Sequence, residues 1–369
     1  MGRRPRMGKR GKDVRVYESL IRPVLFRLSA ERAHDLAKRA LSTEVPWRLL
    51  SGRFQTGDPR LETEVGGLRQ ANPIGLAAGL DKDADALPGL AHLGFGSLTV
   101  GTIMPGVRKG NPKPRLVRLP ERMAVIDHMG LPSKGLDRAV RKLRRFRAAH
   151  PPGEGRPPLI VSVGGLTVEE VLAGHGAVEP LADAVEFDLT CPNVTERGDF
   201  ETMDGISRFV ERLVTQRRKP LFFRLPLRLS DENWRKALAM CEVAAKYGVD
   251  GVTPAGGLPA EDARLALGKG ALAGKPLLEN SLRIVRDLRS AVGDDLAIRI
   301  AGGATDGESV FRLLEAGANA VNILTAFVYR GPGAAAAMNR ELLRKMDEAG
   351  VESVRDLGVK SRQAAAPGG

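Results

Sequence analysis

The stretch AIRIAGGATDGESVFRLLEAGANAVNILTA occupies positions 297–326, and its reading decides the fold. Residues 297–301 form an apolar run too short for a helix but suited to a buried strand. Gly302-Gly303 ends that run, residues 307–316 carry apolar positions at helical spacing, and 318–323 form a second short run. Two buried strands joined by a helix make a βαβ unit, in which the strands lie parallel.

The same rhythm begins after Gly57. Its other apolar runs are 73–78, 97–101, 159–163, 184–189, 220–225 and 251–253, and helices are expected at 206–217, 231–247 and 282–292. Eight strands, most followed by a crossover helix, predict an α/β fold: a (β/α)8 TIM barrel with a small N-terminal helical extension. An open doubly wound sheet is the alternative. The expected organisation is a basic flexible leader at 1–15, a helical subdomain at 16–56, a barrel at 57–355 and a loose tail at 356–369. The last helix is expected at 335–349.

Within 16–41, Leu20, Ile21, Val24, Leu25 and Leu28 recur at three- and four-residue spacing. Ser29 then caps a second helix, with Glu31 and Arg32 in its first turn and Leu36, Ala37, Ala40 and Leu41 along one face. These helices either pack on the barrel or present an apolar groove to a membrane or a lipophilic ligand.

Hydrophobic residues are 43% of the 369 and aromatics only 4%, so the core is aliphatic. Two cysteines, Cys191 and Cys241, exclude a disulfide framework and point to a reducing compartment. No apolar stretch reaches the roughly 18 residues of a membrane span, and no signal-peptide core is expected. The formal charge is +13, with Arg3, Arg4, Arg6, Lys9, Arg10 and Lys12 facing only Asp13. Such a leader is solvated or drawn to anionic headgroups. Nucleic acid is not an expected partner, because aromatic residues for stacking are nearly absent. His34, His92, His128, His150 and His175 show no metal-ligand spacing, and no metal site is expected.

Barrel chemistry gathers where strands end. Strand one ends in Ala78-Gly79-Leu80-Asp81-Lys82-Asp83, where small residues admit a flat ring and Lys82 offers a cation. Strand two ends in Gly101-Thr102, strand four in Asp188-Leu189-Thr190-Cys191-Pro192-Asn193, and strand five near Arg224. Gly302-Gly303 after strand seven and Thr325 after strand eight fit the backbone phosphate cradle of such barrels. Cys191, in a strand-end loop, is a candidate catalyst; Cys241, beside Ala239, Met240 and Val243, reads as core.

These residues carry a resemblance. Leu20-Ile21-Arg22-Pro23, Glu31-Arg32-Ala33-His34, the run Asn72-Pro73-Ile74-Gly75-Leu76-Ala77-Ala78-Gly79-Leu80-Asp81-Lys82, Gly110-Asn111-Pro112-Lys113-Pro114-Arg115-Leu116 and Gly331-Pro332 resemble the dihydroorotate dehydrogenases, specifically the membrane-associated quinone-using class. The resemblance runs from Tyr17 to about Ala349, and the helical extension is diagnostic of that class. It implies an FMN-dependent oxidoreductase that oxidises dihydroorotate to orotate in pyrimidine biosynthesis. Electrons pass to a quinone, and the protein lies peripherally at the cytoplasmic face of the cell membrane.

By position, the resemblance places the flavin against Ala77, Ala78, Gly79, Thr102, Ser162, Asp188, Arg224, Gly274, Gly302, Gly303 and Thr325. It makes Cys191 the catalytic base, where the quinone class keeps serine and the soluble class cysteine. Substrate contacts fall to Lys82, Asp127, Asn193 and Gly256, and the quinone side to His34 and Arg118. Several positions depart from the family. Asp127, Asp188 and Gly256 stand where it keeps asparagines, Ser162 replaces an asparagine, Ala255 a threonine, Leu324 a tyrosine and Arg224 a lysine. An amide both donates and accepts, whereas an ionised carboxylate only accepts. Asp188 and Arg224 are therefore expected to form an ion pair within about 4 Å. The alternatives are a family member acting on another small ring, and a barrel that has lost catalysis. A flavin-dependent tRNA uridine reductase is disfavoured, since nothing after Ala349 is long enough for an RNA-binding domain.

Overall fold

A computed structural model describes residues 12–153, 155–188 and 202–358. Eight strands follow one another in the chain: β1 (Ile74–Leu76), β2 (Ser97–Ile103), β3 (Leu159–Val163), β4 (Ala184–Asp188), β5 (Leu221–Leu225), β6 (Gly251–Pro254), β7 (Ala297–Ala301) and β8 (Ala320–Ile323). Each pairs in parallel with its neighbours in sequence, and β8 closes on β1. This is the expected (β/α)8 barrel. Closure removes the open doubly wound alternative, which would leave two edges unpaired.

Side chains explain why these short runs become strands. Phe187, Leu225, Val252, Ile298, Ile300 and Val321 are buried in the main hydrophobic core with the apolar faces of the surrounding helices. Four of the surrounding helices begin where a side chain takes up an orphan backbone N–H. Thr167, Thr202, Ser230 and Asp306 cap the helices Val168–Val178, Met203–Gln216, Asp231–Lys246 and Gly307–Glu315. Cys241 is buried on the third of these, and burial pushes its thiol up to about 12, as a core cysteine requires.

The barrel interior is polar at mid-height. Arg299 on β7 is fully buried and donates to Glu186 on β4 at 3.1 Å, Thr253 on β6 at 3.2 Å and Thr99 on β2 at 2.9 Å. Its guanidinium also lies over an aromatic face, 4.6 Å from the Phe222 ring centroid. One side chain thus ties strands from opposite sides of the barrel.

Three features lay beyond the sequence reading. Two antiparallel excursions, Leu116–Leu119 with Ala124–Asp127 and Leu258–Glu261 with Lys269–Gly274, merge into one four-stranded sheet. The first leaves the chain after β2 and the second after β6, so this sheet lies at the C-terminal ends of the strands. The first expected N-terminal helix is a composite: Lys12–Val16 and Arg22–Arg27 are joined by a π-helical turn at Tyr17–Ile21. A third helix, Val45–Phe54, follows Ala30–Leu41, which Ser29 caps by accepting from the Arg32 N–H.

A buried ion pair stripped of one partner leaves an uncompensated charge, at a cost of about 3–5 kcal/mol. Arg299→Met is expected to destabilise the barrel by that amount in urea unfolding, and adding Glu186→Gln to recover most of it. A single variant within 1 kcal/mol of the parent, a loss typical of an exposed pair, would show that the cross-barrel tie contributes little.

Candidate active site

All eight strands deliver residues to one end of the barrel. Ala77 and Gly79 extend β1: the Ala77 N–H donates to the Ile323 carbonyl at 3.0 Å and the Gly79 N–H to the Gly101 carbonyl at 2.8 Å. Gly79 has φ +114°, a conformation that any side chain would strain. Asp81, fully buried, accepts from the N–H groups of Asp85 and Ala86 and so holds the turn that carries Lys82.

Across the mouth, β2, β3, β4 and β5 build one polar cluster. Asp188 Oδ2 accepts from the Thr102 hydroxyl at 3.0 Å, and Thr102 Oγ1 lies 3.2 Å from Ser162 Oγ. The Arg224 guanidinium stands 3.6 Å from the same Asp188 oxygen, inside the expected limit for the pair. Parallel register sets this directly, since Asp188 and Arg224 are opposite each other on β4 and β5. The arginine therefore answers the carboxylate that replaces an amide.

A second acid lies above. Asp127 ends the strand Ala124–Asp127, and burial raises its carboxyl above the ordinary carboxylate range, against the opposing pull of Lys82, the Met129 N–H and Arg224. Burial lowers Lys82 to about 8, with Asp127 opposing. Lys82 also donates to the Gly79 carbonyl. Asp127 and Lys82 are thus electrostatic partners at the mouth.

Opposite the polar cluster, glycine backbones line the ends of β7 and β8. A Cβ on Gly274 would fall 2.4 Å from the Met123 carbonyl and 2.8 Å from Thr325 Cγ2, and one on Gly303 2.6 Å from Leu278 Cα. Gly274 and Thr325 are therefore neighbours, as are Gly302, Gly303 and the start of the helix Leu278–Val292. Gly256 differs: a side chain there would meet nothing nearer than Leu227 at 3.6 Å.

The N-terminal helices reach this end. His34 lies partly buried beside Lys82; burial and the Lys82 and Lys38 charges hold its ring at about 3, so it is neutral near pH 7. Arg118 donates to the last carbonyls of the helix Arg22–Arg27, including Leu25 at 3.3 Å, with its guanidinium 4.3 Å from the Phe26 ring centroid. Glu31 pairs with Arg115 at 2.9 Å, and Tyr17 donates to the Val328 carbonyl at 2.9 Å. Leu20 and Val24 remain 65% and 60% exposed, so the apolar stripe of the first helix faces away from the barrel. Among the described residues no helix is long and apolar enough to cross a membrane.

Cys191 and Asn193 lie outside the described residues, as do the end of the fourth expected strand at Leu189, most of the basic leader and the tail from 359. The remaining expected site residues converge at the barrel mouth or beside it. Sequence spacing missed two things: the antiparallel sheet that brings Asp127 over the mouth, and the meeting of His92 and His150 at Glu44, far from this end.

Comparison with known proteins agrees with this geometry. The family profile described as dihydroorotate dehydrogenase matches residues 60–346. A dihydroorotate dehydrogenase (quinone) of Rhodococcus opacus is 34% identical over 353 residues, covering 92% of this chain and 98% of the relative. Its counterpart in Methylococcus capsulatus is 35% identical over 342 residues, covering 88% and 98%. Among solved structures, DHODH from Eimeria tenella in complex with ferulenol superposes with a TM-score of 0.76 at 28% identity, covering 90% of this chain and 97% of that one. The chain belongs to the dihydroorotate dehydrogenase family.

Proposed function

We propose that this protein oxidises dihydroorotate to orotate in pyrimidine synthesis, through a bound FMN, and delivers the electrons to a quinone that enters beside the N-terminal helices. The observation that carries the reading is the junction of Lys82, Asp127 and His34, where a substrate-type cation meets the helical extension at the strand ends.

The residues present fit FMN. Ala77, Ala78 and Gly79 carry at most a methyl group, and Gly274, Gly302 and Gly303 take positive-φ backbone packed closely against Met123, Leu277 and Leu278, so bare backbone stands at these strand ends. Glycine turns after the last two strands are the usual phosphate cradle of such barrels. When bound, FMN supplies the hydride acceptor. Thr102, Ser162, Asp188 and Arg224 would border its ring, and Arg224 keeps a positive charge there.

The chain's own groups handle charge and protons. The Lys82 ammonium would hold the substrate carboxylate. Cys191, three residues past β4, would take the proton from the carbon beside the one that loses hydride, provided neighbours lower its thiol pKa. Asn193 and Gly256 complete the ring site. Asp127 would contact the substrate ring as a neutral acid: a protonated carboxyl has an O–H donor as well as an acceptor, as an asparagine amide does, and burial favours that form. Neutral His34 and Arg118 would border the quinone path. The exposed stripe at Leu20 and Val24, with the basic leader, suits a peripheral seat on the cytoplasmic face of an anionic membrane. The domain division expected from sequence is retained as part of this reading.

A second reading, a family member acting on another small ring, is favoured by Gly256, which offers no side-chain donor or acceptor where the family keeps an asparagine. The visible spectrum of the purified protein separates the two. Flavin absorbance that bleaches on anaerobic addition of dihydroorotate supports the first; flavin that persists oxidised supports a different donor; no flavin band after incubation with FMN sinks both.

Two further outcomes are expected. Because Lys82 is charged only below about 8, kcat/KM for dihydroorotate should fall as pH rises through that value. Lys82→Arg should remove the alkaline fall, and an unchanged profile in that variant would sink its role. Asp127→Asn keeps a donor and an acceptor there without a titratable proton, so KM should stay close to that of the parent. Asp127→Leu leaves a buried bond unmade, at a cost of about 1–3 kcal/mol, and should raise KM about tenfold; an unaltered KM in the leucine variant would place Asp127 off the substrate.

A further inference from the structure

At the other end of the barrel, three residues distant in sequence share one point. Glu44 precedes the helix Val45–Phe54, His92 precedes β2, and His150 follows the helix Leu136–Ala149 on the way into β3. Glu44 Oε1 lies 3.2 Å from His92 Nε2 and 3.1 Å from His150 Nε2. All three ligand atoms are within 4.8 Å of one another. His150 is buried, and Glu44 and His92 are partly so.

The His150 Nδ1 faces the Phe146 carbonyl at 3.2 Å, and a carbonyl only accepts, so Nδ1 carries the proton. The Nε2 atoms of both rings then converge on one carboxylate oxygen, an arrangement completed either by protons on Nε2 or by a metal cation held between the three groups. The His150 ring is held in place, stacking on Phe146 with centroids 4.5 Å apart, and an Nδ1–H bonded to a backbone carbonyl is the usual outer support of a metal-ligating histidine.

The spacing fits zinc. Ligands about 2.0–2.1 Å from a tetrahedral Zn2+ stand about 3.3 Å apart, close to both measured Glu44–His separations. Two imidazoles and a carboxylate are borderline-soft donors of the kind Zn2+ takes, leaving a fourth position for water on the exposed side. Arg48 reaches the same carboxylate oxygen only at 4.0 Å and is itself exposed, so it can swing clear.

We propose that Glu44, His92 and His150 form a Zn2+ site that fastens the N-terminal helical segment to the N-terminal end of the barrel. The site takes no part in the redox chemistry. Its action is mechanical, joining residue 44 to the loops that enter β2 and β3. Close packing already meets there, since a Cβ on Gly89 would fall 2.6 Å from the Leu41 carbonyl and 2.7 Å from Trp47 Cδ1.

The test uses the full chain, stripped with a chelator and titrated with Zn2+ against a chromophoric competitor. One equivalent is expected to bind and to raise Tm, and Glu44→Gln, His92→Asn and His150→Asn each to weaken it about a hundredfold or more. Co2+ loaded into the unaltered protein should give the intense visible bands of a four-coordinate ion. Absence of zinc binding, undiminished binding in the triple variant, or an octahedral cobalt spectrum would each overturn the site. The cobalt result stands even if the variants fail to fold.

Discussion

The Arg299–Glu186 pair is the constraint on which the barrel mouth depends. A guanidinium inside a closed barrel costs heavily to desolvate, and it is tolerated because Glu186, Thr253, Thr99 and the Phe222 face surround it. Glu186 and Asp188 are two residues apart on β4, so both point inward and their layers are about 7 Å apart. Burial lowers the Arg299 pKa from its ordinary value, yet an arginine stays charged under any physiological condition. The layer below the mouth is therefore a fixed dipole, and it holds β2, β4, β6 and β7 at set heights beneath the cluster of Thr102, Ser162, Asp188 and Arg224.

The N-terminal helices are held by a different kind of bond. Arg118 takes up carbonyls at the end of one helix, Arg115 pairs with Glu31 on the next, and Tyr17 and Arg22 donate to carbonyls of Val328 and Tyr329 after β8. All but the Arg115–Glu31 ion pair run from side chains to backbone carbonyls near helix ends, where unsatisfied groups are concentrated. They secure the inner faces of the helices and leave Leu20, Val24 and Leu36 outward. A segment attached in this way can present apolar surface without unfolding.

The barrel was legible because parallel strands buried on both faces read as short apolar runs broken by glycine, and all eight lie where those runs lie. Helix starts were legible where a cap was present, as at Ser29. The four-stranded antiparallel sheet was not, because its two hairpins join through a pairing between distant parts of the chain, Ala124–Asp127 with Lys269–Gly274, and the latter strand carries no branched residue but Leu272. The Glu44 cluster was hidden for the same reason: its partners are 48 and 106 positions away, and no spacing rule spans such gaps. Family position led to Asp127, whereas its burial and its nearness to Lys82 come from the fold.

Two aspartates at asparagine positions need not make the mouth strongly acidic. Asp188 stands against Arg224, so the first exchange is balanced by charge within one strand register. Asp127 is balanced partly by Lys82 and partly by burial, which favours its neutral form. The two acids are thus handled in opposite ways: one kept beside a guanidinium, the other pushed toward the protonated state. The departure at Arg224 follows from the same logic. A lysine ammonium is a strongly hydrated point charge, whereas a guanidinium is planar and more weakly hydrated, so it can sit beside Asp188 and still reach the field of Asp127.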